Sequence, residues 1–236
     1  MACILNIETY TSVCSVALSS GKDIIFSKTA YGDPSHASLV GVYSKEAINE
    51  MKARGLKLDA VAVSCGPGSY TGLRIGVSFA KGLCLGEDIP LIAIPTLRVM
   101  VEGAKKTLAA NDIDVSGLML CPMIDARRME VYAAIYKDGE EIRSVGADII
   151  DENSYADYFV KGNVCFFGNG SDKCRSVLTS PNAMFIENIY PLAENMIGLA
   201  NDAYEAKRFE NVAYYEPFYL KEFQATIAKN KVLGNR

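Results

Sequence analysis

The sequence predicts an α/β protein of two lobes, each a mixed sheet flanked by helices. Three observations point there. The chain opens with three short apolar runs at hairpin distance, and then helix and strand patterns alternate. A polar, glycine-terminated stretch, Asn111 to Gly117, interrupts that alternation. After it, an antiparallel opening of strands recurs. At 236 residues the chain is long enough for a sizeable core, as one large domain or two smaller lobes.

The first lobe is expected over 1–110. Ala2 to Ile7, Val13 to Leu18 and Asp23 to Lys28 read as a meander, with Ser19-Ser20-Gly21 as a turn. The loop Glu8-Thr9-Tyr10-Thr11-Ser12 is rich in hydroxyls, which suits a phosphate contact or an ordinary polar turn. Asp33-Pro34-Ser35 starts a helix that runs to about Lys52, with Asp33 or Ser35 as its cap. Val40, Tyr43, Ala47 and Met51 share one side of it, with Leu39 and Ile48 beside them. Leu58 to Ser64 is a strand. Ile89 to Ile94 is another, bounded by prolines, and Thr96 to Ala110 is a helix.

Between those strands lies Gly66-Pro67-Gly68-Ser69-Tyr70-Thr71-Gly72-Leu73-Arg74-Ile75-Gly76. Its glycines permit backbone angles closed to other residues, and Ser69 or Thr71 can cap the helix that follows. The helix N-terminus can seat an anion, with Gly66, Gly68, Ser69 and Thr71 as donors alongside Thr9, Thr11 and Ser12. A turn needed only for packing fits equally well. No Gly-Lys-Ser/Thr ends the loop, so it is not a Walker A motif. The helix, Thr71 to Leu85, is apolar nearly all round. Gly72, Gly76 and Ala80 make a stripe at a spacing of four, which lets another helix approach, internal or foreign. Arg74, Ser78 and Lys81 make a narrow polar line.

The second lobe is expected over 111–236. Leu118 to Ile124, Met129 to Tyr136 and Glu141 to Ile150 are strands, with a charged turn at Asp125-Ala126-Arg127-Arg128. Asp151 to Phe159 reads as helical and Asn163 to Phe167 as a strand. Gly168-Asn169-Gly170-Ser171 is a second glycine turn, before a helix over Asp172 to Leu178. Pro191 to Lys207 is a helix. Val212 to Leu220 is aromatic-rich, and the segment from about 212 onward is placed back against the first lobe. The tail is polar and basic, with Lys221, Lys229, Lys231 and Arg236.

Composition narrows the function. The net charge of −4 gives no basic footprint for direct nucleic-acid binding. Apolar runs are too short to span a bilayer, and the opening residues have no basic n-region, so a cytoplasmic protein is expected. Seven cysteines, none in a Cys-x-x-Cys pair, read as buried thiols. His36 is the single histidine, so no two-histidine metal site is available; it has no evident nucleophile and acid for a protease triad, and no metal or catalytic residue is assigned.

Several of these segments resemble a known family. Ile4-Leu5-Asn6-Ile7-Glu8-Thr9 is similar to the first strand and phosphate loop of the actin/Hsp70/sugar-kinase superfamily. The loop Gly66 to Gly76, the segment with Asp125, Arg127, Glu130 and Tyr132, and Glu216-Pro217-x-Tyr219-Leu220-Lys221 resemble the TsaB (YeaZ) family. The resemblance covers nearly the whole chain. It implies a two-lobed actin-like fold and a non-catalytic subunit that dimerises with TsaD. That complex forms N6-threonylcarbamoyladenosine at position 37 of tRNAs reading codons that begin with A. TsaE, an ATPase, joins the dimer, and ATP and magnesium are used by the partner subunits. TsaD carries a His-x-x-x-His metal pair, which one histidine cannot supply.

The resemblance places the partner surface on the two first-lobe helices, at Leu39, Val40, Tyr43, Ala47, Gly72, Ile75, Gly76, Phe79 and Ala80. It also implies that tRNA is reached only through the complex, and the apolar surface of the two helices leads to the expectation that the free chain forms a homodimer. Two positions depart from the pattern. Glu8 stands where the family has aspartate, and Tyr70 where phenylalanine is common. The longer glutamate would displace a nucleotide-bound metal. The alternative is a nucleotide-dependent phosphotransferase or ATPase of the same fold, since fold alone does not decide.

Overall fold

The structure is a computed structural model that describes residues 1–32 and 36–221, with only the backbone of His36. The expected helix caps Asp33 and Ser35 and the tail positions Lys229, Lys231 and Arg236 lie outside the described residues.

The first sheet contains β1 (Cys3–Glu8), β2 (Cys14–Ser20), β3 (Asp23–Ala30), β4 (Ala60–Ser64) and β5 (Leu91–Ile94), in the order β3-β2-β1-β4-β5. The meander β1-β2-β3 is antiparallel, while β1-β4 and β4-β5 are parallel. Helices α1 (His36–Ala53) and α2 (Tyr70–Glu87) make the crossovers to the parallel strands, and α3 (Thr96–Ala110) follows β5. The second sheet contains β6 (Met119–Asp125), β7 (Glu130–Lys137), β8 (Glu140–Ile149), β9 (Val164–Phe167) and β10 (Ala183–Phe185), in the order β10-β9-β6-β7-β8. Read from its other edge, this repeats the first: an antiparallel meander β6-β7-β8, then β6-β9 and β9-β10 in parallel. Two mixed sheets flanked by helices thus make the two lobes.

Side-chain alternation explains the layers. Leu5 and Ile7 of β1 face α1 and α2, with Val61, Val63, Val40, Ala47, Val77 and Ala80 in the same cluster. Ile4 faces the opposite side, with Ala60, Ala62 and Ile92, against Met196 and Ala200 of α5 (Ala193–Glu205). All six residues of β1 are buried, as expected for a strand covered on both faces. The last helix among the described residues therefore packs on the first sheet, not the second. Between the lobes, Leu97, Met100, Val101 and Leu108 of α3 pack on Leu120 and Ile124 of β6, joined by Tyr10 and Leu73 from the first lobe.

Differences from the sequence reading have local causes. The helix expected over 151–159 shrinks to α4 (Ala156–Phe159). Asp151 and Ser154 instead close a capped loop, and Tyr155 enters with a left-handed φ of 64°. The helix expected over 172–178 is a 3-10 turn, Asp172–Cys174. Strand β10 is only three residues, too short to show a period of two, and the sequence reading missed it. Helix α5 starts at Ala193 because Leu192 keeps an extended backbone.

Candidate functional site

The two lobes face each other across a cleft whose floor is built from chain turns. The β1–β2 loop and the N-terminus of α2 form one wall, and the end of β6 with the second glycine turn forms the other. A cavity of about 360 Å³ lies between them, lined by Tyr10, Thr11, Ser12, Ser69, Thr71, Gly72, Ile124 and Asn169. The structure brings the hydroxyl-rich loop and the glycine loop, two separate candidates in the sequence, to one cavity. Ser69 caps α2 by accepting from the Gly72 amide at 3.4 Å.

The buried residues behind the cavity, at the end of β1, are engaged within the chain. Thr9 is buried, and its Oγ1 donates to the Gly72 carbonyl at 2.8 Å. Glu8 is wholly buried at the end of β1. Its Oε2 accepts from the Ser64 hydroxyl, and its Oε1 from the Tyr10 amide at 2.7 Å. Burial raises the Glu8 carboxyl to about 8, while the Ser64 hydroxyl and the Tyr10 and Thr9 amides pull the other way. A carboxyl that gives up its water needs such partners.

The loop glycines have intramolecular reasons. Gly66 has φ +109°, and a Cβ there would lie 2.6 Å from the Phe218 carbonyl oxygen. Its amide donates to Thr96 Oγ1 at 3.1 Å. Gly68 faces the ring of Tyr10, and Gly72 the carbonyl of Thr9. In the second glycine turn, a Cβ on Gly170 would lie 2.8 Å from the Ile124 carbonyl carbon. These residues do not fit a magnesium nucleotide as they stand. Both Glu8 oxygens are bonded and buried, and Tyr10 fills the open side of Gly68. Among the described residues, no three His, Cys, Asp or Glu side chains converge to hold a metal ion.

The motif residues that are far apart in sequence meet at the rim. Glu130 binds Lys221, with Oε1 and Nζ 2.5 Å apart. Tyr219 stacks on Tyr70, with ring centroids 4.7 Å apart and planes inclined by 9°. Burial raises the Tyr132 hydroxyl above the usual phenol range, with Lys221, Glu130 and Tyr70 nearby. Asp125 pairs with Lys173 and also accepts from the Arg127 amide at 3.0 Å. Arg127 and Arg128 form the turn, both with left-handed φ. Ser64 and Thr96 were not singled out as site residues by the sequence reading. Their partners, Glu8 and Gly66, are distant in sequence, and no short pattern links them.

The expected partner surface divides in two. Val40, Ala47 and Ala80 are buried in the first-lobe core, and Gly72 and Gly76 abut Thr9. The small-residue stripe therefore faces inward, because the β1–β2 loop needs the space where a Cβ would stand. Leu39, Tyr43, Ile75 and Phe79 are half-buried along α1 and α2. Val42 is 50% exposed and Leu85 80% exposed on the same helices.

The comparisons with known proteins agree with this architecture. The family model TsaD, tRNA N6-adenosine threonylcarbamoyltransferase, matches residues 32–229. The tRNA threonylcarbamoyladenosine biosynthesis protein TsaB of Escherichia coli (strain K12) is 28% identical over 228 residues, covering 92% of this chain and 94% of the relative. Its Bacillus subtilis (strain 168) counterpart is 34% identical over 134 residues, covering 57% of this chain and 55% of the relative. The solved structure of YeaZ from Pseudomonas aeruginosa has a TM-score of 0.75 at 22% identity, covering 93% of this chain and all (100%) of that one, and so shows a shared fold. The chain belongs to the family described by the TsaD model, and within it to the TsaB (YeaZ) group.

Proposed function

We propose that this chain acts in tRNA threonylcarbamoyladenosine biosynthesis as a non-catalytic scaffold and activator subunit. It pairs with TsaD through α1 and α2, and TsaE joins the pair. ATP and magnesium serve the partner subunits, and tRNA is engaged only through the assembled complex, in the cytoplasm. The names of the relatives support the pathway.

The observation that carries the pairing is the apolar face of the α1–α2 pair. Leu39, Tyr43, Ile75 and Phe79 are half-open there, and Val42 and Leu85 stand out from the same helices. Apolar clusters of this kind mark association surfaces. The inward residues Val40, Ala47, Gly72, Gly76 and Ala80 contribute by holding the two helices in place. The engaged state of Glu8 and the packed loop glycines support a subunit without its own nucleotide chemistry. The other reading, a phosphotransferase or ATPase, draws on the hydroxyl-lined cavity at the α2 N-terminus.

Co-elution with purified TsaD tests the pairing. The Val42→Asp chain, altered at the half-exposed position beside Leu39 and Tyr43, should remain folded by circular dichroism yet fail to co-elute. Co-elution at unchanged affinity would remove this helix face from the interface.

A further inference from the structure

The narrow polar line on α2 has an occupant within the chain. Tyr70, Arg74 and Lys81 lie on one side of the helix, at spacings of four and seven. Lys81 Nζ donates to the carbonyls of Ala213 at 3.3 Å and Tyr215 at 2.9 Å. Arg74 Nε donates to the Tyr219 hydroxyl at 3.3 Å, and the guanidinium lies 5.9 Å from that ring's centre. The Tyr70 ring stacks on Tyr219, and its hydroxyl bonds the Lys221 carbonyl. The Phe218 amide donates to the Cys65 carbonyl at 2.8 Å, so the same segment also holds the glycine loop. Lys221 then reaches into the other lobe, to Glu130 at the start of β7.

We infer that residues 213–221 form a latch that ties α2 and the glycine loop to the second lobe and so sets how far the cleft opens. Its two ends differ in strength. The first-lobe end is held by a stack, several hydrogen bonds and a cation over a ring, spread along α2. The second-lobe end is the Lys221–Glu130 pair, whose side chains are 44% and 19% exposed. Partly exposed pairs are weak and screened by salt. The latch therefore lets go at Glu130 first, while its other end stays on α2.

Hydrogen exchange on the full chain tests this. Lys221→Glu should speed exchange about tenfold in 125–132 and 9–12, the two sides of the cleft, while β1 and α5 keep their protection. High salt should move the unaltered chain in the same direction. The charge-swapped pair Glu130→Lys, Lys221→Glu should restore the original pattern. If Lys221→Glu also loosens β1, Lys221→Met, which keeps the apolar stem, decides by the same criterion. Unchanged exchange in 125–132, or a swapped pair that fails to restore protection, would overturn the latch.

Discussion

Thr9 and Gly72 are joined across the first lobe: the Thr9 hydroxyl donates to the Gly72 carbonyl at 2.8 Å, and the Thr9 carbonyl occupies the space where a side chain on Gly72 would begin. One turn further along α2, Gly76 meets the Thr9 hydroxyl itself. The hydroxyl loop and α2 are therefore a single packed unit. The small stripe of α2 exists to admit this loop.

Two alanine substitutions in α2 should accordingly act in opposite directions. Gly76→Ala puts a methyl group against Thr9 Oγ1, with Val63 Cγ2 3.5 Å away. Overpacking of that kind should destabilise the chain by about 1–3 kcal/mol. Gly82 has nothing within 4 Å of its missing Cβ. Gly82→Ala should therefore stabilise by up to about 1 kcal/mol through helix propensity alone. Urea melts of both variants check the pair. Equal effects would mean that Gly76 is as open as Gly82.

Glu8 should make stability depend on pH. Its carboxyl rises from the ordinary 4.5 to about 8 in the folded chain, chiefly because it is buried. The native state thus holds a proton that the unfolded state releases. The contribution is fully present below about 4.5 and is lost as pH rises through about 8. Glu8→Gln mimics the protonated form and removes that slope. The melting temperature of Glu8→Gln, minus that of the unaltered chain, should increase between pH 5 and pH 8.5 by several degrees, since about 1 kcal/mol moves a chain of this size by ~2–4 °C. A difference that stays flat over this range would mean that Glu8 is charged when folded.

Much of this was legible in the sequence, because the relevant signals are local. Thr96 and Ala110 bound α3 as expected, with Pro95 before the helix. The meander β1-β2-β3 follows from three short apolar runs at hairpin distance, the last two joined by a turn at Gly21, which takes φ +59°. Each of the two cavity loops was legible because it ends a strand, but their meeting at one cavity comes from the sheet order. Other features depend on which face a residue turns to the core. The α2 stripe is compatible with a partner or with Thr9, and only the path of the β1–β2 loop decides. The Arg74–Lys81 line gave no sign of the segment lying on it, because carbonyls and one aromatic ring from residues more than a hundred positions away supply the contacts. Short elements such as β10 and the 3-10 turn at Asp172 are set by neighbours and have little pattern of their own.

The exposed helix face should also cause self-association of the free chain. Sedimentation across a concentration series should show a monomer–dimer equilibrium, shifted toward monomer by Val42→Asp, whose parent side chain is 50% exposed. A strict monomer at high concentration would mean that the apolar face is too small to hold a second copy.

The central claim, a required but non-catalytic subunit, is tested most directly by an omission series. Labelled threonine, bicarbonate, ATP and a suitable tRNA are combined with TsaD, TsaE and the synthase that makes the threonylcarbamoyl-adenylate. Incorporation into tRNA should fall to background when this chain is left out and return when it is added back, while the chain alone turns over no ATP. A partner that prefers one state of TsaD can act in this way without chemistry of its own. Undiminished incorporation without the chain, or ATP turnover by the chain alone that is abolished by Thr9→Ala, would contradict the account.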